Sequence, residues 1–75
     1  MDRFDDLTTF ALVAELRSIR KAAKVLGRAP SAISRRVKDL EERLQVQLLT
    51  RTTRNISLTG AGERFYNDAR RIRMI

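Results

Sequence analysis

Cysteine and histidine are both absent from these 75 residues. Without cysteine, neither a disulfide nor a thiolate metal site can form. Without histidine, the commonest metal ligand and the commonest general base are missing. No nucleophile–base pair of the usual kinds can be assembled, and GAG at 60–62 is too short for a phosphate-binding glycine loop. Catalysis is therefore not expected, and neither is a cofactor or a metal ion. There is one proline and there are three glycines, with no linker, repeat or low-complexity tract. No apolar run approaches the roughly 20 residues of a membrane span. The N-terminus, MDRFDDL, is acidic, unlike a secretory signal. The expected location is the cytoplasm.

What is present points elsewhere. A hydrophobic content of 43% is that of a globular chain, long enough for one small domain. A core of this size is limited, so support from a partner subunit is plausible. The net charge is +7, unevenly spread. Residues 1–16 carry a net −3, and residues 17–75 carry +10. Thirteen of the 16 basic side chains are arginine, the better bidentate partner for phosphate. An arginine-rich balance with a pI of about 11.3 favours nucleic acid as the partner. A basic but merely solvated surface is the alternative.

The periodicity predicts four helices. Asp2 can cap the first, with Asp5 and Asp6 in the turn where the helix dipole favours anions. Leu7, Phe10, Ala11 and Ala14 form its apolar stripe, and it should end near Arg17. Ser18 can cap a second helix, Ile19 to Leu26, with Ile19, Ala22, Ala23 and Leu26 on one face. Gly27 stands where a left-handed residue closes a helix. Pro30 suits the first position of a third helix, although Ala29 is a poor cap. Its stripe is Ile33, Val37, Leu40 and Leu44. After Val46 the period changes, and QLLTRTTRNISLT predicts two short strands with a turn near residues 53–55. Thr59 can cap a fourth helix with the stripe Ala61, Phe65, Ala69 and Ile72.

Two helices joined by a short glycine-containing turn describe a helix-turn-helix. Ala23 permits close approach, and Ile33 can pack back onto it. Opposite the core stripe of the third helix lie Ser31, Ser34, Arg35 and Lys38. Such a helix enters the major groove by its N-terminal end, which Pro30 and Ser31 keep slim. Ser31 and Ser34 can meet base edges, and Arg35 can reach guanine O6 and N7. Lys38 lies further back, and Arg36 points sideways, both towards phosphate. Ser18, Arg20 and Lys21 start the second helix and can hold a phosphate. RTTR places Arg51 and Arg54 around a turn with Thr52 and Thr53 between them. A protruding basic turn beside a recognition helix is a wing suited to the narrow minor groove. The fold expected is mainly α, a winged helix-turn-helix with a three-helix core and a two-stranded β wing over residues 1–58. Residues 59–75 form a further helix. Phe65, Tyr66, Ala69 and Ile72 there offer more apolar surface than a tail needs, part for the first helix and part for a second subunit.

The chain resembles the N-terminal DNA-binding domain of the LysR-type transcriptional regulators of bacteria. The resemblance covers nearly all 75 residues. It rests on LTTFALVAEL, and on PSAISRRVKDLEERL, LLTRTTR and SLTGAGE as a set. It implies a winged helix-turn-helix whose fourth helix is the dimer-forming linker to an effector-binding domain. It implies groove contacts from Pro30, Ser31, Ser34 and Arg35, and wing contacts from Arg51 and Arg54. It places the protein on nucleoid DNA. A small-molecule inducer would then be met only by a C-terminal domain beyond residue 75. There are departures: Ile19 and Arg20 stand where an aromatic and a threonine are usual, Ala29 where serine is frequent, and Gln45 where glycine is usual.

Two other classes stay open on sequence alone. A sequence-indifferent architectural protein would coat DNA by charge and discriminate little between sites. A winged-helix interaction module would self-associate through the fourth helix and leave DNA unbound at physiological salt.

Overall fold

The structure, a computed structural model, describes residues 3–51 and 56–73, with side chains for 6–51 and 56–71. Its elements run α1 (Arg3–Leu16), α2 (Ile19–Leu26), α3 (Pro30–Leu44), β1 (Leu49–Arg51), β2 (Ile56–Leu58) and α4 (Gly60–Arg73). The expected cap at Asp2 and the turn over residues 53–55 lie outside the described residues. None of the helices is long and apolar enough to cross a membrane, among the described residues.

Local chemistry sets most of the element ends. Ser18 has extended backbone, and its Oγ accepts from the Lys21 amide at 3.1 Å. That bond satisfies one of the amides a helix start leaves free. Gly27 closes α2 at φ 68°, and the Arg28 amide donates to the Ala23 carbonyl at 2.9 Å. Pro30 opens α3 after Ala29, which supplies no side-chain cap. Gln45 ends α3 at φ 54° and ψ 41°, a left-handed conformation that glycine adopts at no steric cost. At α4, Thr59 Oγ1 accepts from the Gly62 amide at 2.9 Å and donates to the Gln47 carbonyl at 2.6 Å. One side chain therefore caps α4 and ties it to the approach to β1.

α1 is the central helix and packs against α2, α3, α4 and β2. This position corrects the stripe expected for it. Phe10 and Ala11 are buried, but Leu7 and Ala14 are only half-buried. Asp6, Thr9 and Val13 take the buried places, at spacings of three, four and seven along the same face as Phe10. A helix covered on several sides buries polar positions too, provided they find partners. On α3, Ile33, Val37 and Leu40 are buried, whereas Leu44 is 44% exposed because the last turn runs past the core. Ala22 and Ala23 are the buried residues of α2, and Ala23 shares one cluster with Ile33.

β1 and β2 pair antiparallel, with Leu49 opposite Leu58, Thr50 opposite Ser57 and Arg51 opposite Ile56. Leu48 and Leu49 anchor this ribbon in the core. The core also crosses the expected division at residue 58. The Phe65 ring meets Phe10 edge-on at 5.3 Å, and Ala69 is fully buried. α4 is part of the same packed unit as the helix-turn-helix.

Candidate nucleic-acid interface

Burial of Ile33, Val37 and Leu40 turns the opposite face of α3 to solvent. Ser31, Arg35 and Lys38 are exposed there, Ser34 is half-buried, and Pro30 is exposed at the N-terminal end of the helix. Because Pro30 has no N–H and Ala29 supplies no cap, the first turn of α3 is open. The Ala32 and Ile33 amides both donate to the Ala29 carbonyl, at 3.0 and 3.2 Å. The Ser31 amide has no partner among the described residues. A free donor at a helix N-terminus suits an anion.

The ribbon lies beside this face. Arg51 reaches from β1, and its Nη1 donates to Ser34 Oγ at 2.8 Å. The two residues are separated by 17 positions in the chain, and the fold joins them. Thr52, Thr53 and Arg54, the remaining expected wing residues, lie outside the described residues. At the start of α2, Arg20 and Lys21 are exposed, whereas the Ser18 oxygen is engaged as the cap.

Arg36 differs from its neighbours. It is half-buried and reaches back to α1, with Nη1 3.5 Å from Thr9 Oγ1. Its place is on the flank of α3 rather than beside Arg35 and Lys38. Of the residues expected at a dimer contact, the part expected to pack within the chain is seen. Phe65, Tyr66 and Ala69 face their own chain's core, because α4 must cover α1. The outward positions of α4 are polar: Glu63, Arg64, Asn67, Asp68, Arg70 and Arg71 are exposed, and Arg70 lies over the Tyr66 ring at 5.7 Å. The Ile72 side chain is outside the described residues.

Two supports of the site have no local signal in the sequence. Glu41 Oε2 accepts from the amides of Leu48 and Leu49, at 2.8 and 3.1 Å, and so holds the entry to β1 on α3. The Arg43 guanidinium pairs with the buried Asp6 carboxylate, joining the far end of α3 to the start of α1. Both join elements through residues that read as ordinary surface charges on a helical wheel. No cluster of acidic side chains suited to a metal ion occurs among the described residues.

A helix pair closed by a glycine turn, an outward polar face on its second helix and an antiparallel ribbon alongside define the class. This is a winged helix-turn-helix. Residues 4–63 match the family model described as bacterial regulatory helix-turn-helix protein, lysR family, and the chain belongs to that family. It is 50% identical over 68 residues to the HTH-type transcriptional regulator CrgA of Neisseria meningitidis serogroup C (strain 8013). That match covers 91% of this chain and 23% of CrgA, so the chain spans less than a quarter of this relative. The fold superposes on the crystal structure of a BenM_DBD/catB site 1 DNA complex with a TM-score of 0.90 and 37% identity. The match covers 95% of this chain and 79% of that one. A CbnR_DBD–DNA complex gives 0.89 and 44%, covering 95% of this chain and 82% of the other.

Proposed function

We propose that this chain binds double-stranded DNA as the DNA-reading part of a bacterial transcription regulator, with α3 in the major groove and the β1–β2 ribbon at the adjoining minor groove. The observation that carries this function is the outward face of Pro30, Ser31, Ser34, Arg35 and Lys38, onto which Arg51 is brought from the ribbon. The likeness to BenM and CbnR domains solved as DNA complexes supports it. Arg35 is the residue for guanine O6 and N7. Ser31 and Ser34 face base edges, and the free Ser31 amide faces phosphate. Arg20, Lys21 and Lys38 neutralise the backbone, and Arg36 reaches it only from the flank. Arg51, Thr52, Thr53 and Arg54 form the wing.

The chain works by binding rather than by catalysis, and it works on nucleoid DNA in the cytoplasm. Two copies pair through α4, so that two α3 helices meet half-sites about one turn apart. The half-buried Phe65 and Tyr66 supply the apolar edges for that pairing, together with Ile72, whereas Ala69 serves its own core. A small-molecule inducer would act through a part of the protein outside these residues.

Selection from a random duplex library at about 150 mM salt, near physiological ionic strength, tests this function. An enriched inverted repeat is expected, and its spacing reports the dimer geometry. Binding without enrichment would favour an architectural protein that uses charge alone. Self-association with no DNA affinity would favour a protein-interaction module.

A further inference from the structure

We infer that Arg51 biases the hydrogen-bond polarity of Ser34, so that Ser34 acts towards a base as a donor in preference to an acceptor and reads an acceptor atom in the major groove. The inference rests on the DNA-binding function proposed above. A guanidinium has donors and no acceptor, whereas a serine hydroxyl has one donor and two lone pairs. The contact at 2.8 Å can therefore run in one direction only, from Arg51 Nη1 to Ser34 Oγ. It occupies one lone pair of Ser34 and places a permanent cation beside the other. No described residue accepts the Ser34 hydroxyl hydrogen. That hydrogen is left for whatever lies against α3.

An isolated serine pairs with either a donor or an acceptor on a base edge, and so discriminates poorly. Ser34 is not isolated. The amino group of adenine or cytosine would have to approach an oxygen that already holds one donor, beside a positive charge. Purine N7, guanine O6 or thymine O4 would meet a hydroxyl whose donor strength the Arg51 bond increases. The backbone of α3 fixes the Cα–Cβ direction, with Ile33 buried on one side and Arg35 exposed on the other. The Arg51 bond holds the Ser34 oxygen on the ribbon side and turns the hydroxyl hydrogen away from the guanidinium. Arg51 is a positioning residue in this role. It converts an ambiguous reader into a selective one without touching the base.

The test uses a duplex enriched by the wild-type chain, with major-groove acceptors removed one at a time. The substitutes are 7-deazapurines, 2-aminopurine for guanine and 5-methyl-2-pyrimidinone for thymine. At one acceptor the wild type should lose about three- to tenfold in affinity, the worth of one hydrogen bond. Ser34→Ala should be indifferent at that atom. Arg51→Met should still feel the loss of that acceptor but should tolerate a base amino group in its place, which the wild type should reject, and Arg51→Lys should restore part of that rejection, which a uniform loss of charge would not produce. Equal rejection of the amino group by the wild type and by Arg51→Met would overturn the inference. So would a wild type weakened at the Ser34 position by loss of a base amino group. A second measurement needs no DNA. In urea unfolding, the midpoint shifts of Ser34→Ala and Arg51→Met should be non-additive in the double variant, and strict additivity would remove the contact on which the inference stands. If no duplex is enriched at all, it is the DNA-binding function that fails.

Discussion

Gly62 lies so close to Leu48 that a Cβ on the glycine would sit 2.0 Å from the Leu48 carbonyl oxygen. The same oxygen accepts from the Thr59 amide at 3.0 Å. The first turn of α4 is thus pressed onto the backbone that leads into β1, and only a residue without a side chain fits there. Alanine is the better helix former by about 1 kcal/mol, so an exposed helical glycine would gain from the change. Here the clash is with backbone, which cannot swing aside. Gly62→Ala should therefore cost about 1–3 kcal/mol net. In a domain of this size each kcal/mol lowers Tm by about 4–8 °C, and thermal unfolding followed by circular dichroism would read it. A variant as stable as the wild type would refute the close approach.

Arg43 and Asp6 make a different kind of junction. The Asp6 side chain is nearly inaccessible, whereas the Arg43 side chain is 54% exposed. Removing the arginine leaves a buried carboxylate without its cation. Arg43→Met should destabilise the chain by about 1–3 kcal/mol, because the open side of the pair admits some water. Asp6→Asn keeps an acceptor for Arg43 and should cost less. The order of the two denaturant midpoints is the measurement.

Gln45 is held at φ 54° where α3 turns towards the ribbon. Glycine has no steric penalty in that region, although it makes the unfolded chain freer. Gln45→Gly should stabilise by about 0.5–1 kcal/mol. A lowered urea midpoint would show that the Gln45 side chain makes a contact worth more than the strain.

Arg35 should carry base discrimination. Arg35→Ala is expected to cost about 1–3 kcal/mol of binding and to relax preference at one position of each half-site. Binding curves on duplexes varied one base pair at a time would show it. An equal loss on every variant would reassign Arg35 to phosphate.

Charge should show in the salt dependence. Two copies neutralising about 6–10 phosphates give a slope of about −5 to −9 in log affinity against log salt. Lys38→Ala should reduce the magnitude of that slope by about 1 or less per chain while leaving base preference unchanged. A shift in preference would place Lys38 on a base edge.

The sequence by itself determined the four helices, both ends of α2, the starts of α3 and α4, and the class of fold. Ser18, Gly27, Pro30 and Thr59 act on backbone amides and carbonyls within a few residues, so their effects are readable locally. The outward face of α3 was equally legible, because a regular helix fixes which residues share a side. Tertiary structure decided which faces were covered and which distant residues met. α1 is enclosed on several sides, so Asp6 and Thr9 are buried where a one-sided stripe predicts Leu7 and Ala14. α4 covers α1 with Phe65 and Ala69, residues that read equally well as a surface for a second subunit. The bond from Arg51 to Ser34 and the two amides held by Glu41 depend on how the ribbon lies against α3. Local periodicity has no term for such pairings, since they arise from the packing of elements whose separations the chain order does not specify.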